Sequence, residues 1–189
     1  MSEKRIPVII DCDPGCDDAA ALLLAFQCPE FNIRAITTVA GNVELNKTTV
    51  NALKICEVIG TDVPVSRGAE KPLFCQLQTA SNVHGADGLH GIVLPDPKKQ
   101  ITGEAAWDTI YRVAVEEKGA LELIAVGPFT NLAIALSKYN DLAGLIKRIV
   151  IMGGAVAGGN TTPCAEFNVV VDPEAADMVF QSGIPIIMA

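Results

Sequence analysis

The chain has 189 residues, half of them hydrophobic and only 19% charged, with a mean hydropathy of +0.35. That is enough apolar material for one well-packed core, and it excludes a disordered chain. The formal net charge of −8 excludes general nucleic-acid binding, which needs basic surface, and no apolar run approaches the roughly 20 residues that span a bilayer.

The opening residues Met1-Ser2-Glu3-Lys4-Arg5 lead straight into a strand at Pro7–Ile10 and contain no signal-peptide core, so a cytoplasmic location is expected. The run Asp11-Cys12-Asp13-Pro14-Gly15-Cys16-Asp17-Asp18 follows, and a helix is predicted over Asp18–Gln27. A strand at Ile33–Val39 ends in Gly41-Asn42, and a helix is predicted over Lys47–Ile59. A long loop, Arg67–Gln100, carries Asn82-Val83-His84-Gly85 and His90. Next come a helix at Gly103–Glu117, a strand at Glu122–Val126 followed by Gly127-Pro128, and a helix at Asn131–Lys138. A strand at Arg148–Met152 gives way to the Gly- and Thr-rich loop Gly153–Ala165, then a helix at Glu174–Gln181 and a strand at Pro185–Met188. Residues 1–189 are expected to form a single domain, incomplete at its C-terminus because the chain stops inside this last strand.

The strands are continuous apolar runs without alternation, as in a parallel sheet covered on both faces. Their regular alternation with helices predicts an α/β fold, a doubly wound, Rossmann-like, mostly parallel sheet with helices on both faces. In such sheets ligands bind outside the carboxyl ends of the strands, and the polar turns at Asp11, Gly41, Gly127 and Gly153 all sit there. The six cysteines form no CxxC pair and lack histidine partners, so buried reduced thiols are expected rather than zinc. The Gly153–Gly159 loop lacks a following Gly-Lys-Ser/Thr, which excludes a phosphate cradle there.

Four aspartates within eight positions at one strand-to-helix turn repel one another unless something positive sits among them. Helix capping accounts for one or two of them, because the macrodipole favours Asp17 and Asp18 in the first turn. It does not account for Asp11 and Asp13 at the strand end. A hard divalent cation with oxygen ligands, Ca²⁺ or Mg²⁺, is the simplest remedy. A DxD after a strand also suggests a Mg²⁺-dependent phosphatase with an aspartate nucleophile, but the intervening Pro14-Gly15-Cys16-Asp17-Asp18 counts against that reading.

The run Asp11 to Asp18 resembles the DxDPGxDD fingerprint of the inosine-uridine-preferring nucleoside hydrolases. The likeness continues in order through Val39-Ala40-Gly41-Asn42, Asn82-Val83-His84-Gly85, Val126-Gly127-Pro128-Phe129-Thr130-Asn131, Met152-Gly153-Gly154, Ala165-Glu166-Phe167-Asn168 and Asp172-Pro173-Glu174-Ala175-Ala176. The resemblance implies Ca²⁺-dependent hydrolysis of the N-glycosidic bond of purine and pyrimidine ribonucleosides in salvage, giving free base and ribose. It implies that Asp13 contacts the metal and acts as general base. Asp18 would chelate through both oxygens, and the Val126 carbonyl would complete the set. Asp17, Asn42, Met152, Asn160, Glu166 and Asn168 would hold the ribose, and His84 would stand at the base pocket. Glu166 and Asn168, two positions apart, would share a face of an extended segment. A homodimer or homotetramer is expected, by the same resemblance. Members of the family are longer, and their remaining portion carries a further calcium-binding aspartate with an adjacent histidine. The alternative is therefore a truncated, non-catalytic chain that binds nucleoside or ribose.

Overall fold

The computed structural model describes residues 5–189; the expected lead-in at residues 1–4 lies outside the described residues. The elements run β1 (Ile6–Cys12), α1 (Cys16–Gln27), β2 (Phe31–Thr38), α2 (Leu45–Ile59), β3 (Val65–Arg67), α3 (Ser81–His84), α4 (Ala106–Glu117) and β4 (Leu121–Ala125). The chain continues with α5 (Thr130–Lys138), a 3₁₀ turn (Leu142–Leu145), β5 (Ile146–Ile151), α6 (Phe167–Val171), α7 (Pro173–Phe180) and β6 (Ile186–Met188). The strands form one sheet in the order β3-β2-β1-β4-β5-β6, and every neighbouring pair is parallel.

Burial on both faces explains the unbroken apolar runs. Successive residues of a strand point to opposite faces. Ile9 therefore packs with Ile110, Leu123, Leu132 and Val179 on the side of α4, α5 and α7, whereas Ile10 and Cys12 pack with Leu22, Leu53 and Ile55 beneath α1 and α2. Local chemistry sets the helix ends. Gly60 closes α2 in the left-handed region at φ +74°, and Asp172 caps α7 by accepting from Ala175 N–H, with Pro173 in the first turn.

The order places β1 beside β4, the point where successive crossovers change direction. Loops on either side of that point diverge, which opens a crevice at the carboxyl ends of the two strands. Asp13 follows β1 and Val126 follows β4, so both fall at this crevice.

Three findings depart from the sequence-based expectations. β3 is an extra strand, only three residues long and partly polar, so it carries no apolar run to detect. The short helices α3 and α6 lie in segments read as loop or extended. All six cysteines are free, but only Cys12 and Cys56 are buried; Cys16 and Cys28 are half-buried, and Cys75 and Cys164 are exposed. Among the described residues no helix is long and apolar enough to cross a membrane.

Among the described residues, Glu122 of β4 is the one acidic strand side chain buried away from the crevice. Its carboxylate accepts from Arg148 Nε at 2.7 Å and Nη2 at 2.9 Å, and from Lys147 Nζ at 2.7 Å. The Arg148 hydrogen bonds, ahead of the opposing effect of burial and then the bond from Lys147, hold it below the usual glutamate range. A carboxylate depressed in the fold contributes stability above its unfolded pKa of about 4.3 and loses it as pH falls through the lower folded value. Glu122→Gln should lower the melting temperature by about 2–4 °C near pH 7, for a loss of about 1 kcal/mol. The gap should close below about pH 4, and calorimetry across that range measures it.

Candidate active site

The floor of the crevice is built from buried carboxylates. Asp11 is fully buried, and its Oδ1 accepts from Thr37 Oγ1 at 2.5 Å and Asn131 Nδ2 at 2.8 Å. Asp13 Oδ2 accepts from the backbone N–H of Asn42 at 2.6 Å. Asp18 Oδ2 accepts from Gly15 N–H and Asn42 Nδ2, both at 3.0 Å. Asn42 thus binds both carboxylates and, through Nδ2, the Asp13 carbonyl at 3.1 Å. The remaining oxygens, Asp11 Oδ2, Asp13 Oδ1 and Asp18 Oδ1, are buried and have no partner.

Such a set is electrostatically unfavourable without a counter-charge. Burial raises the pKa of Asp11 to about 7 despite its two hydrogen bonds. Burial also raises Asp18 to about 7, with the Asp17 charge adding to it. Asp13 is pushed well above the ordinary carboxylate range, first by burial and then by the charge of Asp18. Among the described residues no group of three or more His, Cys, Asp and Glu side chains forms a ready metal shell. The protein's contribution is instead two neighbouring carboxylates, Asp13 and Asp18, each with one oxygen to spare, and that donor chemistry fits a hard cation in an open shell.

Two glycines hold Asp13 in place. A Cβ on Gly41 would lie 2.1 Å from Asp13 Oδ2, and one on Gly127 would lie 2.7 Å from Asp13 Oδ1. The carboxylate therefore fits in a slot whose two walls are bare backbone.

Above this floor lies a cleft of about 260 Å³. Asp17, Asn42, His84 and Val126 line one part of it, and Met152, Asn160, Glu166 and Asn168 another. Every residue singled out in the sequence therefore lies in the floor or the lining. Asp17 is open to the cleft, with its side chain 72% exposed, and stands 3.7 Å from His84 Nδ1. His90 is an exposed loop residue, as expected. A larger hollow of about 360 Å³ at the opposite end of the sheet, around Arg5, Phe26 and Phe31, has no acidic or histidine side chain in its lining. The chemistry is at the carboxyl ends.

Glu166 and Asn168 reach the cleft by a different route from the extended segment expected. Glu166 is the N-cap of α6: its Oε1 accepts from Asn168 N–H at 3.0 Å and its Oε2 from Val169 N–H at 3.4 Å. The orphan amides at a helix start attract a carboxylate, and this turns the segment helical. Glu166 Oε2 also accepts from Gly154 N–H at 3.1 Å. Asn168 Nδ2 donates to the carbonyls of Val126 and Met152, both at 2.9 Å, and so joins the ends of β4 and β5. Asn160 Oδ1 accepts from Phe167 N–H at 2.9 Å, fastening its Gly-rich loop to α6. Val126 packs against the core and also lines the cleft, and its carbonyl accepts from Asn168 Nδ2.

Residues not singled out in the sequence also take part. Thr37 and Asn131 hold Asp11, and two polar residues, Thr37-Thr38, closing an apolar strand were the available sign. Val83 and Phe167, which lie inside the motifs around His84 and Glu166 but have no role of their own in the sequence-based reading, add apolar surface to the cleft.

Comparison with known proteins agrees with the fold. The sequence model of the inosine-uridine preferring nucleoside hydrolases matches residues 8–189. The pyrimidine-specific ribonucleoside hydrolase RihA of Photobacterium profundum is 50% identical over 183 residues, which cover 96% of this chain and 59% of that protein. The chain thus spans about three fifths of the length of the curated relatives it matches. A plant nucleoside hydrolase, the PpNRh1 enzyme, superimposes with a TM-score of 0.93 at 40% identity, over 97% of this chain and 59% of that one. A purine-preferring ribonucleoside hydrolase from Gardnerella vaginalis gives 0.93 at 33% identity, over 96% and 60%. With its acidic turn, its parallel sheet and a match running from the first strand to the last residue, the chain belongs to the inosine-uridine preferring nucleoside hydrolase family.

Proposed function

We propose that the protein hydrolyses the N-glycosidic bond of ribonucleosides, with Asp13 as general base. One observation carries the reading: Asp13 and Asp18, each with a buried unpartnered oxygen, are bound by Asn42, which itself lines a cleft of amides and acids. Water attacks C1′ of the ribose as the C1′–N bond breaks. The bonding electrons leave with the base, which takes up a proton from solvent, and Asp13 accepts the proton lost by the water and later returns it to solvent. The carbon passes through an oxocarbenium-like state, and the acidic lining of Asp17 and Glu166 favours positive charge there. The ribose hydroxyls pair with Asp17, Asn42, Asn160, Glu166 and Asn168. His84 and Met152 close the two sides of the cleft, with His84 towards the leaving base.

Ca²⁺ is the cation this donor set suits, held by Asp13, Asp18 and the Val126 carbonyl. When bound, it supplies a positive centre that offsets the crowded carboxylates and acidifies water. Added Ca²⁺ should raise the melting temperature by about 5–10 °C when present at about a hundredfold its dissociation constant. Asp18→Asn should abolish most of that shift, and an unchanged shift in this variant would remove Asp18 from the ligand set.

The curated relatives, 46–50% identical, are named pyrimidine-specific, which supports uridine and cytidine as preferred substrates over inosine. The test is ribose release from uridine, cytidine and inosine, with and without chelator. Release from none of them, or release indifferent to chelation, overturns the proposal. A second reading is nucleoside or ribose binding without turnover, since the amides and acids of the cleft would hold the ligand whether or not Asp13 takes a proton. Calorimetric binding of uridine without product would favour it.

A further inference from the structure

We propose that Asn51, in the middle of α2, is a positioning residue that fastens the segment carrying His84 to the acidic turn. Asparagine is a poor helix former, and this one is only 5% exposed, so the fold bears a cost by placing it there. Both hydrogens of its amide are engaged: Nδ2 donates to the Pro14 carbonyl at 3.0 Å and to the Asp87 carbonyl at 2.9 Å. Pro14 belongs to the turn between Asp13 and Asp17, and Asp87 belongs to the loop that begins at His84. One nitrogen joins the two.

The neighbouring packing shows how close the junction is. Gly88 adopts φ +87°, and a Cβ there would lie 2.9 Å from Asn51 Nδ2 and 3.2 Å from the Pro14 carbonyl. Cys16 Sγ–H reaches the Gly88 carbonyl at 3.8 Å, a weak second tie. The imidazole of His84 lies against Gly15, where a Cβ would stand 2.6 Å from Nδ1. The loop is otherwise held mostly by itself. His90 N–H donates to the His84 carbonyl at 3.0 Å, and the Asp87 carboxylate accepts from Leu89 and Gly91 N–H groups. At its start, Ala80 N–H donates to the Asn42 carbonyl at 3.0 Å. Without Asn51 the loop keeps its own shape but loses the bonds that set its distance from Asp17 and Gly15. His84 would then drift from the cleft while the carboxylate floor stays intact.

The kinetic consequence rests on the nucleoside hydrolysis proposed above; the structural consequence does not. The test compares Asn51→Ala, Asn51→Asp, His84→Ala and the Asn51→Ala/His84→Ala double variant. The aspartate variant keeps the size of the side chain and loses both donors, so it serves if the alanine variant does not fold. Amide exchange across residues 81–91 should accelerate at least about tenfold in either Asn51 variant, with β1 and β4 unchanged. Turnover of uridine should fall about 10- to 100-fold in kcat/KM. The double variant should be no worse than His84→Ala alone, because Asn51 acts through the histidine. Unchanged exchange in 81–91, or losses that simply add, would overturn the proposal. If the wild-type protein releases no ribose, the function reading fails separately and the exchange measurement decides the role of Asn51 alone.

Discussion

Asp13→Asn should lower turnover of uridine by about 10³-fold or more while leaving the metal-free protein at least as stable as the metal-free wild type. The two halves of this result have one cause. Asparagine fills the same volume between Gly41 and Gly127, and its amide oxygen can keep the bond from Asn42 N–H. It carries no charge, so the repulsion from Asp18 and the desolvation that push Asp13 up both disappear. The buried site is thereby relieved, as expected for a group whose charge serves catalysis at the expense of stability. What is lost is the ability to accept a proton, worth about 10²- to 10⁴-fold for a positioned base, together with a contact to the cation. Ribose release with Ca²⁺ and a thermal melt in chelator measure the two halves. Near-normal turnover in a folded Asp13→Asn protein would remove the base assignment.

Gly41→Ala should be nearly as damaging to turnover, about 10²-fold, by moving the same carboxylate instead of neutralising it. A methyl group at position 41 would fall 2.1 Å from Asp13 Oδ2 and 2.8 Å from Pro128 Cδ. Asp13 cannot retreat, because Gly127 bounds its other oxygen, with Asp13 N and Val39 Cγ1 both 3.0 Å from a Cβ there. Either the carboxylate leaves the Asn42 N–H or the turn around Gly41 shifts, and overpacking of this kind costs about 1–3 kcal/mol. The backbone of Gly41 is in a region open to any residue, so the effect is one of space alone. Gly144→Ala, with nothing within 4 Å of its added Cβ, is the matched control and should change neither stability nor turnover. Full kcat in Gly41→Ala would show that the slot does not fix Asp13.

The sheet was legible because covering both faces favours continuous apolar runs, and β1, β2, β4 and β5 carry them at residues 8–10, 35–36, 123–125 and 149–151. β3 was not, since three residues ending in Ser66-Arg67 draw their strand character from pairing with β2 and from nothing of their own. The floor of the site was legible for an electrostatic reason: clustered carboxylates need a reason to be close. The expected chelation by Asp18 is harder to read in sequence than its place, because Gly15 and Asn42 already occupy its Oδ2. For Glu166 and Asn168 the pairing was right and the geometry was not. Spacing by two fits an extended segment, but the free amides of a helix start claimed the carboxylate. Asn51 was illegible, since its meaning lies in two carbonyls that are 37 and 36 residues away in the chain.

The lining of the cleft also decides what stays out. Among the described residues it contains Asp17 and Glu166 and not one lysine or arginine. A 5′-phosphate brought there would meet like charge at close range with no guanidinium or ammonium to receive it. On the proposed reading, a nucleotide is therefore expected to bind this cleft more weakly than the nucleoside that lacks its phosphate.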